Sequence, residues 1–415
     1  MSRQSAGVVS SAGFSVMAKP VGPACNLDCS YCYYVRKSGL GGSTSAPARM
    51  SDAQLETYIR GYIAASPDPT VTFAWQGGEP TLLGVDWFRR MVELQQRLCP
   101  PGRRIDNALQ TNGTKLDDAW GTFLKEHQFL VGISLDGPAE LHDPYRINKG
   151  GGPSHAAAMN GIAVLRKYGV EFNTLTTVNR LNQDHGKAVY NFLVKEAGSR
   201  HLQFIPIVER RLPDGSDAGP PPLDRRDERP WRLSPDSATG QGWGTFLCDV
   251  FDTWIAHDVG RVFFYAVEST LSTMVRGYSG ICVHDQTCGR AVVIERDGAV
   301  YSCDHYVYPE WRIGDIGAQG FVEMIDSPFQ RQFGNDKEDR LPSQCRTCPV
   351  LTFCNGGCPK HRFATTADGS PGLNYLCAGY HRYFTHVRAP LQAVAQALTQ
   401  GKDPRSAAKA WRRRS

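Results

Sequence analysis

Cys25-Asn26-Leu27-Asp28-Cys29-Ser30-Tyr31-Cys32 is the stretch that decides how the chain reads. Its spacing is C-x3-C-x2-C, and the next cysteine is as far away as Cys99. A tetrahedral zinc site closes on four ligands. Three thiolates on one short loop instead suit three irons of a [4Fe–4S] cube, with the fourth iron left open for a small molecule. A zinc knuckle is the plainer alternative.

Moving outward, the chain holds 13 cysteines. Residues 1–19 show no basic region followed by an apolar run and a cleavage site, so no signal peptide is expected. The expected location is cytoplasmic, where a disulfide framework does not persist and clustered thiols point to metal. Beyond the first loop lies a second group: Cys282, Cys288, Cys303, Cys345, Cys348, Cys354, Cys358 and Cys377. Eight cysteines complete two four-thiolate sites, either iron–sulfur cubes or structural zinc. Cys99 and Cys248 stand alone and read as small apolar residues, buried or half-buried.

With 415 residues, 41% hydrophobic and 21% charged, the chain can build a core of about two to four domains and is not globally disordered. It has no apolar run long enough to cross a membrane as a helix. The formal charge of +5 hints at an acidic partner. Three cubes with three, four and four thiolates would together carry about −5, however, which removes the case for nucleic acid. The basic end Trp411-Arg412-Arg413-Arg414 reads as a short solvated tail.

The first half alternates strands and helices. Strands are expected over 14–19, 71–75, 104–109, 129–135, 170–178 and 201–207. Helices are expected over 51–64 (capped by Ser51), 87–98, 117–126, 156–168 and 185–197. Six strands with helices between them imply parallel βαβ units and an α/β fold, a partial (β/α)6 barrel over 14–211. In such barrels the chemistry lies at the carboxyl ends of the strands. Residues 212–242 are rich in Pro, Asp, Arg and Gly and read as a mobile insertion or linker. Bridging helices follow over 243–277, a cysteine-rich domain over 278–380, and a helix with the basic tail over 381–415.

Three motifs fall at strand ends. Gln76-Gly77-Gly78-Glu79-Pro80 follows the second strand, its glycines allowing close backbone approach and exposing amides. Gln110-Thr111-Asn112-Gly113 ends the third. Ser134-Leu135-Asp136-Gly137-Pro138 ends the fourth, followed by His142-Asp143-Pro144-Tyr145-Arg146. Ser, Asp and Arg there supply hydrogen bonds and charge for a polar ligand. Taken singly, Asp136 would cap a turn and Arg146 would pair with Asp143.

The three-cysteine loop resembles that of the radical S-adenosylmethionine enzymes, and the eight-cysteine pattern resembles the SPASM-type domain with two auxiliary [4Fe–4S] clusters. With Lys19-Pro20, Cys303-Asp304-His305-Tyr306, Trp311-Arg312-Ile313-Gly314-Asp315-Ile316, Cys354-Asn355-Gly356-Gly357-Cys358 and Leu373-Asn374-Tyr375-Leu376-Cys377, the chain from about Lys19 to Tyr383 resembles the anaerobic sulfatase-maturating enzymes. It departs from them in a longer N-terminus, the 212–242 insertion and the basic tail.

This resemblance implies a radical SAM partial barrel, three [4Fe–4S] clusters and S-adenosyl-L-methionine. It implies that Cys25, Cys29 and Cys32 hold the catalytic cluster. Cys282, Cys288, Cys303 and Cys358 would hold the first auxiliary cluster, and Cys345, Cys348, Cys354 and Cys377 the second. Tyr34, Gly78, Ser134, Arg146 and Val208 would contact S-adenosylmethionine, with Val208 standing where the family commonly has leucine. Asp304 would be the proton acceptor. The implied reaction converts Cys or Ser in a Cys/Ser-x-Pro-x-Arg segment of a sulfatase to Cα-formylglycine. A 5′-deoxyadenosyl radical takes the Cβ hydrogen, and the second electron goes to the auxiliary clusters. An electron donor such as flavodoxin or ferredoxin is implied, with no nucleic acid or membrane partner. The alternative is a SPASM-type maturase that makes a thioether or carbon–carbon crosslink in a ribosomal peptide. A neighbouring cluster of charge about −2 is expected to raise the Asp304 pKa. His284 and His305 are expected to hydrogen-bond near the clusters rather than ligate.

Overall fold

The structure, a computed structural model, describes residues 9–10, 12–35 and 48–412. Most of the longer N-terminus, and Arg413 and Arg414 of the basic end, lie outside the described residues.

Six parallel strands build the centre. They are β1 (Ser15–Lys19), β2 (Thr70–Trp75), β3 (Arg104–Thr111), β4 (Leu130–Ser134), β5 (Phe172–Val178) and β6 (His201–Pro206), all paired in parallel in that order. The helices between them are α1 (Asp52–Ala65), α2 (Val85–Leu98), α3 (Asp118–Glu126), α4 (Ala139–His142), α5 (His155–Tyr168) and α6 (Gly186–Asn191). The start of α1 is set by sequence: the Ser51 side chain accepts from Gln54 N while the Gln54 side chain reaches back, a capping box. The final helix expected over 185–197 changes pitch, with a π-helical turn over Phe192–Glu196. Tyr58, Tyr62, Phe73, Trp75, Trp87 and Phe88 pack edge-to-face under the first strands. Each such buried side chain contributes about 1.5–3 kcal/mol.

The sheet does not stop at six strands. Its order is β12-β11-β10-β1-β2-β3-β4-β5-β6-β9. On one edge β9 (Phe263–Phe264) pairs in parallel with β6, interrupting the helices expected over 243–277. On the other edge β10 (Ala291–Glu295) runs parallel to β1, with Lys19 opposite Glu295. The strands β11 (Ala299–Tyr301) and β12 (Arg312–Asp315) complete an antiparallel extension. The segment that carries Cys303 is therefore joined to the same sheet as the strand that leads into the first cysteine loop.

A short pair, β7 (Arg210–Arg211) and β8 (Arg232–Leu233), brackets the segment read as an insertion or linker. The segment is tied down by Arg210–Asp227 at 2.7 Å, by Arg210 over the Trp231 ring and by Tyr308 Oη donating to Asp217 Oδ2 at 2.7 Å. Next come α7 (Gly240–His257) and α8 (Tyr265–Arg276). The long C-terminal helix starts at Cys377 rather than 381 and runs to Thr399. It crosses α7 at two glycines, where a Cβ on Gly244 would sit 2.7 Å from Gly379 Cα. Among the described residues no helix is long and apolar enough to cross a membrane.

Candidate active site

Parallel strands pointing one way bring their carboxyl ends to one rim. Cys25, Cys29 and Cys32 line a cavity there together with Gln76, Gly77, Gly78, Gln110, Thr111, Asn112, Ser134 and Arg146. Motifs that are far apart in sequence thus converge on the three thiols. The cysteine loop is pinned from the third strand end: Asn112 Nδ2 donates to Asn26 Oδ1 at 2.9 Å and approaches Cys25 Sγ at 3.8 Å. Leu27 N donates to Cys25 Sγ and Val35 N to Cys32 Sγ, each at 3.4 Å.

The glycine turn docks directly on the approach to this loop. Gly78 N donates to Gly22 O and Glu79 N to Ala24 O, both at 2.8 Å. A Cβ on Gly78 would run into the Ala24 carbonyl, so the position requires glycine. The Gly78 amide is therefore engaged, contrary to the expectation that it is exposed. Glu79 is fully buried, and its carboxylate accepts from Thr81 N, Thr81 Oγ1, Thr111 Oγ1 and Asn112 N at 2.6–3.0 Å. Burial pushes its carboxyl up, and these donors oppose the shift. The residue clamps two strand ends together.

Asp136 and Arg146 depart from their single-residue readings. Arg146 does not pair with Asp143 but forms a bidentate bond to fully buried Asp136, Nε–Oδ2 at 2.8 Å and Nη2–Oδ1 at 3.1 Å. Asp143 instead caps α5, accepting from Ser154 N and His155 N. Burial alone would raise the Asp136 carboxyl, but the Arg146 charge and its hydrogen bonds hold it below the usual range. Ser134 Oγ accepts from Gln110 Nε2 at 3.2 Å. Tyr34 and Val208 are both buried, outside the residues that line the cavity. Tyr34 donates to Glu295 with its hydroxyl and carries Lys19 Nζ 4.0 Å above its ring.

Asp304 opens a 3-10 turn directly after Cys303. Lys19 Nζ lies 2.5 Å from its Oδ1, and the Tyr33 hydroxyl donates to its Oδ2. Burial would raise the carboxyl, but the Lys19 and His305 charges and the bonds from Lys19 and Tyr33 outweigh it, holding it well below the usual range. Among the protein's own groups, the contacting Lys19 cation, with His305 and Tyr33, thus outweighs burial. Lys19 carried no role in the sequence reading, although its place at the end of β1 beside the cysteine loop was a signal. Tyr33 and the buried pair Lys360–Glu209 (2.5 Å), with Lys360 Nζ 5.1 Å from the Tyr33 ring, were not singled out at all.

The eight later thiols fall into two groups by mutual influence. Burial pushes Cys288 up to about 12, with Cys358 and Cys282 adding to it; Cys303 is raised by burial and then by the same two. Burial likewise pushes Cys354 up to about 12 and Cys377 to about 11, with Cys345 contributing to each. Among the described residues no three His, Cys, Asp or Glu side chains converge on a single ion. Four thiols in each set match the all-thiolate ligation of a [4Fe–4S] core. His305 Nδ1 lies 3.6 Å from Cys358 Sγ, and Lys337 Nζ donates to Cys282 O at 2.8 Å. His284 contacts the Cys354 backbone. Cys248 is buried and Cys99 half-buried.

The Radical SAM superfamily profile matches residues 20–193, and that of the SPASM iron-sulfur cluster-binding domain matches residues 282–349. Over 95% of its length the chain is 43% identical to a serine-type anaerobic sulfatase-maturating enzyme from Bacteroides thetaiotaomicron, covering 94% of that protein. The chain belongs to the anaerobic sulfatase-maturating enzymes. A cysteine-type member of the family from Clostridium perfringens is 32% identical over 92% of this chain and 98% of its own. The solved structure of native anSMEcpe with bound AdoMet and Cp18Cys peptide superposes with a TM-score of 0.79 at 31% identity, covering 93% of this chain and all of that one. The protein is thus a radical S-adenosylmethionine enzyme of partial-barrel fold with a SPASM domain, and its cofactors are [4Fe–4S] clusters and S-adenosylmethionine.

Proposed function

We propose that this maturase oxidises a serine or cysteine in a Cys/Ser-x-Pro-x-Arg segment of a sulfatase to Cα-formylglycine, with serine the better substrate. The observation that carries the reading is the Asp304 carboxylate, kept ionised by Lys19 and Tyr33 directly beside a cysteine of the second group. Serine is favoured because the similarity is greater to the serine-type relative than to the cysteine-type one.

In this reading Cys25, Cys29 and Cys32 hold the catalytic cluster. Cys282, Cys288, Cys303 and Cys358 hold one auxiliary cluster, and Cys345, Cys348, Cys354 and Cys377 the other. Bound there, the clusters and S-adenosylmethionine would supply hydrogen-atom abstraction at the target Cβ and an acceptor for the second electron.

The chain's own residues bind, orient and move the proton. An ammonium needs acceptors, so the carbonyls of the Gly77–Gly78 turn suit the amino group of S-adenosylmethionine better than its engaged amides. Arg146 presents a fixed guanidinium to the carboxylate group, and Ser134 a hydroxyl beside it. Tyr34, its hydroxyl held by Glu295, is left its backbone, and Val208 offers an apolar wall. Each oxygen of Asp304 has two lone-pair sites, so Lys19 and Tyr33 leave room for a substrate hydroxyl or thiol to donate. A carboxylate lowered in pKa is a weaker base but stays fully in its accepting form near neutrality. The proton passes from the substrate to Asp304. A flavodoxin or ferredoxin is the fitting electron donor, and thirteen unpaired thiols fit a reducing cytoplasm.

Anaerobic turnover of a serine peptide and its cysteine counterpart, read by mass spectrometry, tests this. The serine product is expected to be lighter by two hydrogen atoms, and both peptides should give one aldehyde that reacts with a hydrazine. A crosslinked peptide with no aldehyde would overturn the reading.

A further inference from the structure

Asp136 is a heavily engaged side chain near the cavity that is neither a thiol nor an assigned contact. It is completely buried and receives four donors: the Tyr31 hydroxyl, Arg146 Nε, Arg146 Nη2 and, at 2.9 Å, Thr177 N. These donors come from three places. Tyr31 lies inside the cysteine loop, between Cys29 and Cys32. Arg146 lines the cavity, and Thr177 belongs to β5.

The groups around this pair are hydrogen-bonded as well. Asp136 N donates to His142 Nδ1 at 3.3 Å, His142 Nε2 meets Ser154 Oγ at 3.0 Å, and Ser154 Oγ donates to Arg146 O at 2.5 Å. Among the described residues Arg146 Nη1 makes no hydrogen bond. One side of the guanidinium is therefore locked, and the other remains available to the cavity.

We propose that Asp136 is a positioning residue that fixes the cysteine loop and the Arg146 guanidinium as one unit, so that the open iron and the carboxylate-binding cation keep a set separation. A buried carboxylate with four donors has no freedom to follow either partner alone. Movement of Tyr31 must move Arg146, and the reverse. S-adenosylmethionine reaches both, and a preformed distance between them lowers the ordering cost of binding. This inference rests on the reading that Arg146 receives the cofactor's carboxylate.

The test uses reconstituted holoprotein of Asp136→Asn, Arg146→Lys and the double variant. Each is assayed for iron content, for the concentration of S-adenosylmethionine that half-converts the electron paramagnetic resonance signal of the reduced cluster, and for kcat and KM in 5′-deoxyadenosine formation. Asp136→Asn is expected to keep its iron, to raise the half-conversion point at least tenfold, and to raise KM more than it lowers kcat. The double variant should be no worse than Arg146→Lys, because Asp136 acts through Arg146.

An unchanged half-conversion point in Asp136→Asn, with Arg146→Lys weakened, overturns the inference alone. An unchanged point in Arg146→Lys overturns the Arg146 assignment and the inference with it. Loss of the loop cluster's iron in Asp136→Asn, or multiplicative losses in the double variant, also overturns the inference. Should Asp136→Asn fail to fold, Tyr31→Phe decides: it removes one donor to Asp136 and keeps the ring beside Arg146. A raised half-conversion point supports the coupling, and an unchanged one overturns it.

Discussion

The Lys19 ammonium lies 2.5 Å from Asp304 Oδ1, so the last residue of the first strand neutralises the carboxylate that follows Cys303. Removing that cation should leave burial unopposed and raise the Asp304 carboxyl. In the wild type the folded value is depressed, so the group stays ionised across the assay range and adds no acid limb to the rate. Lys19→Met is expected to add one. Below the new pKa, formylglycine formation should fall about tenfold per pH unit. A pH profile of kcat/KM for the serine peptide between pH 5.5 and 8 checks this, and a profile parallel to wild type would refute it.

Asp304→Asn separates proton transfer from radical generation. It should keep its iron and still form 5′-deoxyadenosine, while formylglycine output falls by about 100- to 10,000-fold, the span typical for loss of a general base. Product quantification beside 5′-deoxyadenosine gives the ratio. Undiminished aldehyde in this variant would remove the base assignment.

Gly78→Ala places a methyl group against the Ala24 carbonyl, which is backbone and cannot swing aside. Overpacking of this kind costs about 1–3 kcal/mol. The strain falls where the glycine turn docks on the approach to Cys25. Iron analysis should show about eight irons per chain rather than about twelve, as the loop cluster is lost and the other two remain. Full iron with normal cofactor cleavage would show that the turn can yield.

His142 gives a further pH signature. Burial lowers its pKa from an ordinary 6.5 to about 4, so the folded protein holds it neutral. A depressed folded value means that stability is complete above about 6.5 and declines as pH falls toward 4, at up to about 1.4 kcal/mol per unit. His142→Asn should flatten that decline. Melting temperatures of the two proteins at pH 7 and pH 5 provide the comparison, and equal slopes would count against it.

Much of this was legible in one sequence. Strand and helix periods through β6 carried the barrel, because each element is local and its apolar spacing is undisturbed. The three-cysteine loop and the strand-end motifs carried the cavity. What escaped notice was non-local. β10 pairs with β1 across most of the chain, and nothing local in residues 291–295 announces a parallel partner. Asp143 sits close enough in sequence to claim Arg146, yet the start of α5 claims Asp143 first, leaving Arg146 to Asp136. Lys19 reaches Asp304 only once the sheet has formed, so nothing local pairs the two. Lys360 and Glu209 meet for the same reason.

The most direct measurement is isotopic. A serine peptide deuterated at Cβ is turned over anaerobically by the reduced, fully loaded enzyme, and the 5′-deoxyadenosine is analysed by mass spectrometry. The account predicts deuterium in its 5′ methyl group, together with aldehyde in the peptide. Aldehyde formation with no deuterium transfer would contradict it.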